Sequence, residues 1–167
     1  TDLAIDGGGA RFVLHGRLSP FVIDGSSGIT IRNLTLDCAR PFYTQGEVVG
    51  AAAGKYVDLR IDRDVYPYRV EWGELYFTAE DWTVDDDAVL LFTEFDPRTR
   101  APAYDMIMYL GRFRRNRTPY NDPMLDRDCR VISAKERPDG ILRIEGRFEA
   151  PFRTGNLVAI SHEKRLN

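Results

Sequence analysis

The stretch ITIRNLTLDCARPFYTQ, residues 29–45, decides how this chain is read. Ile29 and Ile31 share one parity, and Leu34 and Leu36 share the other. Successive side chains of a strand point to opposite faces. An apolar face that changes parity therefore needs a bend or an irregular residue at the change. Asn33 stands there, and Asn tolerates the left-handed conformation better than most residues. The stretch predicts two short strands joined at a corner, with Leu34 and Leu36 inward and Thr35 and Asp37 outward. The rhythm then stops at Asp37, Arg40 and Pro41.

The preceding residues carry echoes of this pattern. Leu3-Ala4-Ile5-Asp6-Gly7 resembles Phe21-Val22-Ile23-Asp24-Gly25, and Phe12 and Leu14 align with Leu34 and Leu36 at an offset of 22. An offset of that size suits one coil of a parallel β-solenoid, in which each coil buries its apolar face on the next. It also predicts that His15 stacks beside Asp37. Two coils are too few for stability by themselves and need further coils or another domain to pack on.

Beyond residue 44 the pattern changes to simple alternation, with no sustained helical stripe. In Tyr56–Asp62, Val57, Leu59 and Ile61 point one way and Asp58, Arg60 and Asp62 the other. Ile141–Glu145 repeats the pattern with Leu142 and Ile144 inward, after a Pro138-Asp139-Gly140 turn, so residues 129–148 read as a hairpin. Trp72-Gly73-Glu74 turns another between Tyr68-Arg69-Val70 and Leu75-Tyr76-Phe77. Strands are also expected over Ala88–Phe95, Met106–Leu110 and Leu157–Ser161. About seven strands at hairpin-like spacing suggest a small antiparallel barrel or sandwich.

Composition narrows the function classes. The chain has 167 residues, enough for one domain or two small ones, with 43% apolar and 29% charged residues. A net charge of −3 argues against a nucleic-acid partner. No apolar run approaches the roughly 20 residues of a membrane span, and no membrane partner is expected. No signal peptide is visible, and the chain begins at Thr1-Asp2-Leu3 inside what reads as a strand, as a trimmed domain or fragment would. Cys38 and Cys129 permit one disulfide without implying it. No His/Cys cluster has zinc spacing. Gly7-Gly8-Gly9 makes no phosphate loop, and no nucleophile elbow appears. Asp85-Asp86-Asp87 reads as a calcium candidate or, with no EF-hand spacing, as a solvated loop. Neither a metal nor a cofactor is expected.

Ile5-Asp6-Gly7-Gly8-Gly9-Ala10, Phe12-Val13-Leu14-His15-Gly16 and Ile29–Asp37 together resemble the opening coils of right-handed parallel β-helix proteins. Asp37 followed by Arg40-Pro41-Phe42 and Gln45-Gly46-Glu47-Val48 is similar to the bacterial α-1,3-galactosidases of glycoside hydrolase family 110 and their β-helix relatives. The resemblance covers residues 3–48 and, more thinly, 156–167. It implies an all-β chain: N-terminal coils of a right-handed parallel β-helix (residues 1–44), an inserted small antiparallel β-barrel (45–156), and a return strand toward the helix (157–167). It further implies the N-terminal part of a secreted or periplasmic inverting exo-glycosidase that releases terminal α-linked galactose from an oligosaccharide or polysaccharide, without a cofactor. The family's catalytic carboxylates are expected on later coils, so no catalytic residue is carried onto this chain, and the 167 residues alone are expected to be inactive. Two other readings share the pattern. One is a polysaccharide lyase on the same helix. The other is a non-catalytic carbohydrate-binding or structural β module.

Inverting hydrolysis needs two carboxyl groups about 6.5–9.5 Å apart, one to protonate the leaving oxygen and one to activate water. Asp37 is the single candidate here, as a base or as a hydrogen-bond partner for a sugar hydroxyl. The alternative, favoured because Asp is a common turn former, is that it caps a turn or pairs with Arg40. His162 and Arg165, on opposite faces of the closing strand, complete the substrate-binding candidates Asp37, Arg40, His162 and Arg165. The alternative for the closing residues is a solvated strand end. The basic run Arg112–Arg117, near Tyr120, suits an anionic polysaccharide or an exposed loop. Trp72, Trp82, Tyr66, Tyr68 and Tyr76 stack on sugars or fill the barrel core.

Overall fold

The structure, a computed structural model, describes residues 2–16, 18–80, 83, 90–106, 108–113, 129–149 and 152–161. All regular structure among them is β. The chain divides into two compact units. One comprises residues up to Pro41 with Ala79 and Glu80, and the other runs from Phe42 to Thr78 and resumes at Thr83.

The first unit is a two-stranded parallel sheet of β1 (Leu3–Leu14) and β2 (Ile29–Cys38). Asn33 adopts φ 55°, and the half-buried positions change from Ile29 and Ile31 to Leu34 across it, so the corner lies where the parity switch predicts. Opposite it, β1 inserts Gly7, Gly8 and Gly9 between Asp6, which faces Arg32, and Ala10, which faces Leu34. A Cβ on Gly7 would fall 2.5 Å from the Leu34 Cβ, and Gly8 and Gly9 take φ of 58° and 84°. Only glycine fits such a close approach and such φ values without strain. The register differs from the expected offset of 22. Phe12 faces Leu36 and Val13 faces Asp37, so His15 does not stack beside Asp37. The extra glycines at the corner displace the alignment. The echo at Phe21–Asp24 forms no strand, and Val22 is exposed.

The second unit is built on a sheet closed into a seven-stranded ring: β12 (Leu157–Ser161), β3 (Tyr43–Ala52), β4 (Tyr56–Ile61), β11 (Leu142–Glu145), β10 (Cys129–Glu136), β9 (Tyr109–Phe113) and β7 (Leu90–Asp96), which pairs back onto β12. The two-residue β8 (Ala101–Pro102) extends β7. A ring with an odd number of strands cannot be antiparallel throughout, and the one parallel contact is β9–β10. Parallel neighbours need a crossover of a dozen or more residues. Residues 114–128 separate these two strands in the sequence. The expected barrel is therefore present, with one pair that hairpin spacing does not foresee.

Closure leaves the main strands of the ring without open edges. The inward positions carry Val48, Val57, Leu59, Leu90, Phe92, Ile132, Leu142, Ile144, Val158 and Ile160, all buried. Phe92, Tyr109, Phe148 and Phe152 form edge-to-face contacts at 5.3–6.0 Å, the geometry that aromatic quadrupoles favour. The hairpin of β5 (Tyr68–Glu71) and β6 (Glu74–Phe77) lies on β10, where Ala134 N–H donates to Gly73 O at 2.8 Å. Arg63 ties its base, bonding Glu136 at 2.7 Å and the Tyr68 carbonyl at 2.8 Å.

Two strand boundaries differ from expectation. The strand expected over Met106–Leu110 is β9, from Tyr109 to Phe113. Gly111 lies within it and is buried, and a Cβ there would meet Ile132 at 2.8 Å and Phe92 at 2.9 Å. Glycine serves here to let two strands pack closely rather than to turn the chain. The segment expected to return toward the helix begins as β12, hydrogen-bonded on both sides, to β3 and β7. Residues 162–167 lie outside the described residues.

Candidate functional site

The outward face of the β1–β2 sheet carries two cross-strand ion pairs. Near the corner, Asp6 accepts from Arg32 Nε at 2.9 Å, from Asn33 Nδ2 at 3.0 and 3.1 Å, and from Gly8 N–H at 3.0 Å. The Gly8 and Asn33 hydrogen bonds, followed by that of Arg32, hold its carboxyl below the usual carboxylate range. Asp6 therefore locks both bent strands at once, binding a glycine of one and the left-handed Asn of the other.

At the far end of β2, Asp37 accepts from the Arg11 guanidinium and from Cys38 N–H at 2.8 Å. The Arg11 hydrogen bond, then that of Cys38, lowers its pKa. A carboxylate held this way is a weaker base than a free one. Arg11, rather than Arg40, is the partner of Asp37. Arg40 is buried and donates to the Pro41 carbonyl at 2.9 Å. His15 Nδ1 lies 3.8 Å from Glu80 Oε2, with both side chains exposed. The proposed groove partners His162 and Arg165 lie outside the described residues, as do Asp85–Asp87, Arg114–Arg117, Tyr120 and Trp82. Cys38 is a free, half-buried thiol.

Alternation assigns Asp58 to the barrel's outer face, and it does alternate with Val57 and Leu59. It is nonetheless only 3% exposed. Arg143, directly opposite on β11, grips it with Nε to Oδ1 and Nη2 to Oδ2, both at 2.6 Å. Arg137 adds a contact at 2.9 Å, and the Arg143 guanidinium lies 3.7 Å from the centre of the Tyr56 ring. On the opposite side Asp58 faces Gly50, after a register shift in β3, where a side chain would sit 3.5 Å from its Oδ2. Hydrogen bonding from Arg143 outweighs burial and lowers the Asp58 pKa, while Arg143 is raised in turn. The sequence held one signal of this network: opposite charges at Asp58 and Arg143, which become neighbours once the strand register is known.

Glu94 is another buried carboxylate missed by sequence. It shares the inward parity of Leu90 and Phe92, and its Oε1 accepts from Arg153 N–H and Asn156 Nδ2, both at 2.8 Å. It organises the turn leading into β12. Asp58 is held by arginine side chains and Glu94 holds a backbone turn, so neither is a free acid.

The aromatic candidates separate cleanly. Tyr68 and Tyr76 are buried, and Tyr76 donates to Glu74 at 2.9 Å. Tyr66 is half-buried, 6.0 Å from the Tyr43 ring. Trp72 is 87% exposed.

A family model described as GLAA-B beta-barrel domain I matches residues 44–158. The chain belongs to this family. The match spans β3 to β12, the closed ring. The sequence is also 33% identical over 166 residues to alpha-1,3-galactosidase A of Shewanella woodyi, covering 98% of this chain and 24% of that protein. It is 38% identical over 99 residues to alpha-1,3-galactosidase B of Bacteroides thetaiotaomicron, covering 59% and 15%. Alpha-1,3-galactosidase B of Akkermansia muciniphila is 26% identical over 81 residues, covering 48% and 10%. The resemblance to the α-1,3-galactosidases is thus borne out. The chain spans about a quarter or less of the length of these relatives.

Proposed function

We propose that this chain is part of an α-galactosidase-like glycoside hydrolase, an exo-acting, inverting enzyme that releases terminal α-linked galactose. The observation that carries the reading is the 33% identity to a protein named alpha-1,3-galactosidase A, which runs through 98% of the chain. That similarity extends across both units, so it is more than a shared barrel. The β1–β2 sheet supports a parallel β-helix as the scaffold. It pairs in parallel, turns at a fixed corner, and leaves Leu3, Phe12, Val13 and Leu36 exposed, as a coil awaiting its neighbours would. The enzyme works outside the cytoplasm, secreted or periplasmic, where terminal glycans are found.

Inversion requires an acid and a base on opposite sides of the scissile bond. The Arg11–Asp37 pair gives Asp37 a structural place on the sheet and leaves it poorly suited to either role. The two catalytic carboxyls belong to coils beyond these residues. The decisive experiment follows the anomeric proton of galactose freed from an α-1,3-linked substrate by the full-length protein. β-Galactose should appear first. Initial α-galactose would remove inversion from the proposal, and no galactose would remove the activity.

A further inference from the structure

Trp72 occupies the first position of the two-residue turn between β5 and β6, with Glu71 facing Glu74 across it. Trp72 and Gly73 have φ of 57° and 80°, the positive pair of a primed hairpin turn, which favours Asn-Gly or Asp-Gly. A bulky residue at positive φ is an outlier. Strain of this kind persists only where the surrounding structure holds it, and such residues cluster at functional sites. Among the described residues none packs over the indole, and Trp72 is 87% exposed. The hairpin is nonetheless fixed beneath it by the Gly73–Ala134 hydrogen bond of 2.8 Å and by the Arg69–Glu71 pair at 2.9 Å. The turn backbone that carries Trp72 is anchored, and its ring faces solvent.

We propose that Trp72 is a stacking platform for a pyranose ring of a galactose-ended oligosaccharide. The choice of galactose rests on the hydrolase reading above. The surroundings favour a sugar over a protein partner. A protein interface of standard size takes about 800 Å² from each partner, whereas one tryptophan offers at most about 250 Å². The immediate neighbours are polar: Glu71, paired with Arg69, and the exposed Ser133 beside Gly73. A single exposed apolar plate beside such hydrogen-bonding groups matches a pyranose, which has an apolar C–H face and hydroxyls around its edge. It does not match the contiguous apolar centre of a protein contact.

The test is a titration of the ¹⁵N-labelled 167-residue chain with an α-galactose-ended trisaccharide, following the indole N–H resonances. Trp72 is identified by its loss in Trp72→Asn. That variant puts a residue suited to positive φ into the turn, so it folds with an unchanged or raised unfolding midpoint. The Trp72 resonance should shift on titration, Trp72→Asn should bind about tenfold more weakly, and Trp72→Phe should fall between. A Trp72 resonance unmoved up to the solubility limit of the sugar, or equal binding by Trp72→Asn, overturns the platform. Because galactose release by the full-length enzyme is read separately, that failure would leave the hydrolase reading standing.

Discussion

Asp58 shows how a single residue can sit on the predicted face of a strand and still be misjudged. Its parity is correct, yet its carboxylate is enclosed by Arg143, Arg137 and Gly50. Removing one partner of a buried ion pair leaves the other charge without compensation. Asp58→Asn should therefore cost about 3 kcal/mol in urea unfolding, with an unchanged m-value. The pair also predicts a pH dependence. The folded Asp58 pKa lies below its unfolded value, so the unfolded chain takes up the proton first as pH falls. Its stabilisation is complete above about pH 4 and is lost as pH falls through the folded pKa. The acid limb of the stability curve should be shallower in Asp58→Asn than in the parent. Asp37 calls for a different measurement, because its site is exposed. On the proposed function, Asp37→Asn in the full-length protein should hold the kcat of galactose release within about tenfold of the parent. Loss of a general base costs about 10²–10⁴.

At the scale of elements, glycines mark the places where local rules mislead. Gly111 lies inside β9 because Ile132 and Phe92 come too close for a Cβ. Gly111→Ala should destabilise the barrel by about 1–3 kcal/mol through overpacking, read by chemical denaturation. The same substitution at Gly54, which meets nothing within 4 Å, isolates the cost of its φ of 69° from any clash. In the first unit, Asn33 joins two demands, a φ of 55° and a bond to Asp6. Asn33→Val loses both and should speed amide exchange in β1 and β2 by at least about tenfold, leaving the barrel amides unaffected. The corner was legible in the sequence because parity and residue type agreed on one position. The register was not, because Gly7–Gly9 can absorb a variable number of residues in a bend and the sequence does not count them.

At the scale of the whole molecule, the two units differ in how completely they are built. The barrel closes on itself, and its strands bury their inward faces. The β1–β2 sheet exposes Leu3, Phe12, Val13 and Leu36. A solenoid coil gains stability from the coil stacked on it. Amides of β1 and β2 should exchange much faster than those of β4 and β11 in the 167-residue chain. They should become protected when the chain is extended to the length of its relatives. Equal protection in both lengths would show that the sheet does not wait for further coils.

Alternation and turn residues by themselves determined that the regular structure of the described residues is β, where the Asn33 corner lies, and which faces of β4 and β11 are apolar. These are local properties, written in neighbouring side chains. The resemblance in residues 3–48 pointed to the galactosidase relatives. The tertiary structure alone decided the closure of the ring, the parallel β9–β10 contact, the partners of Asp37 and Asp58, and the exposure of Trp72. Each depends on which strands become neighbours and in what register. That choice is made by packing between residues such as Asp58 and Arg143, distant in the sequence, so no single stretch contains it.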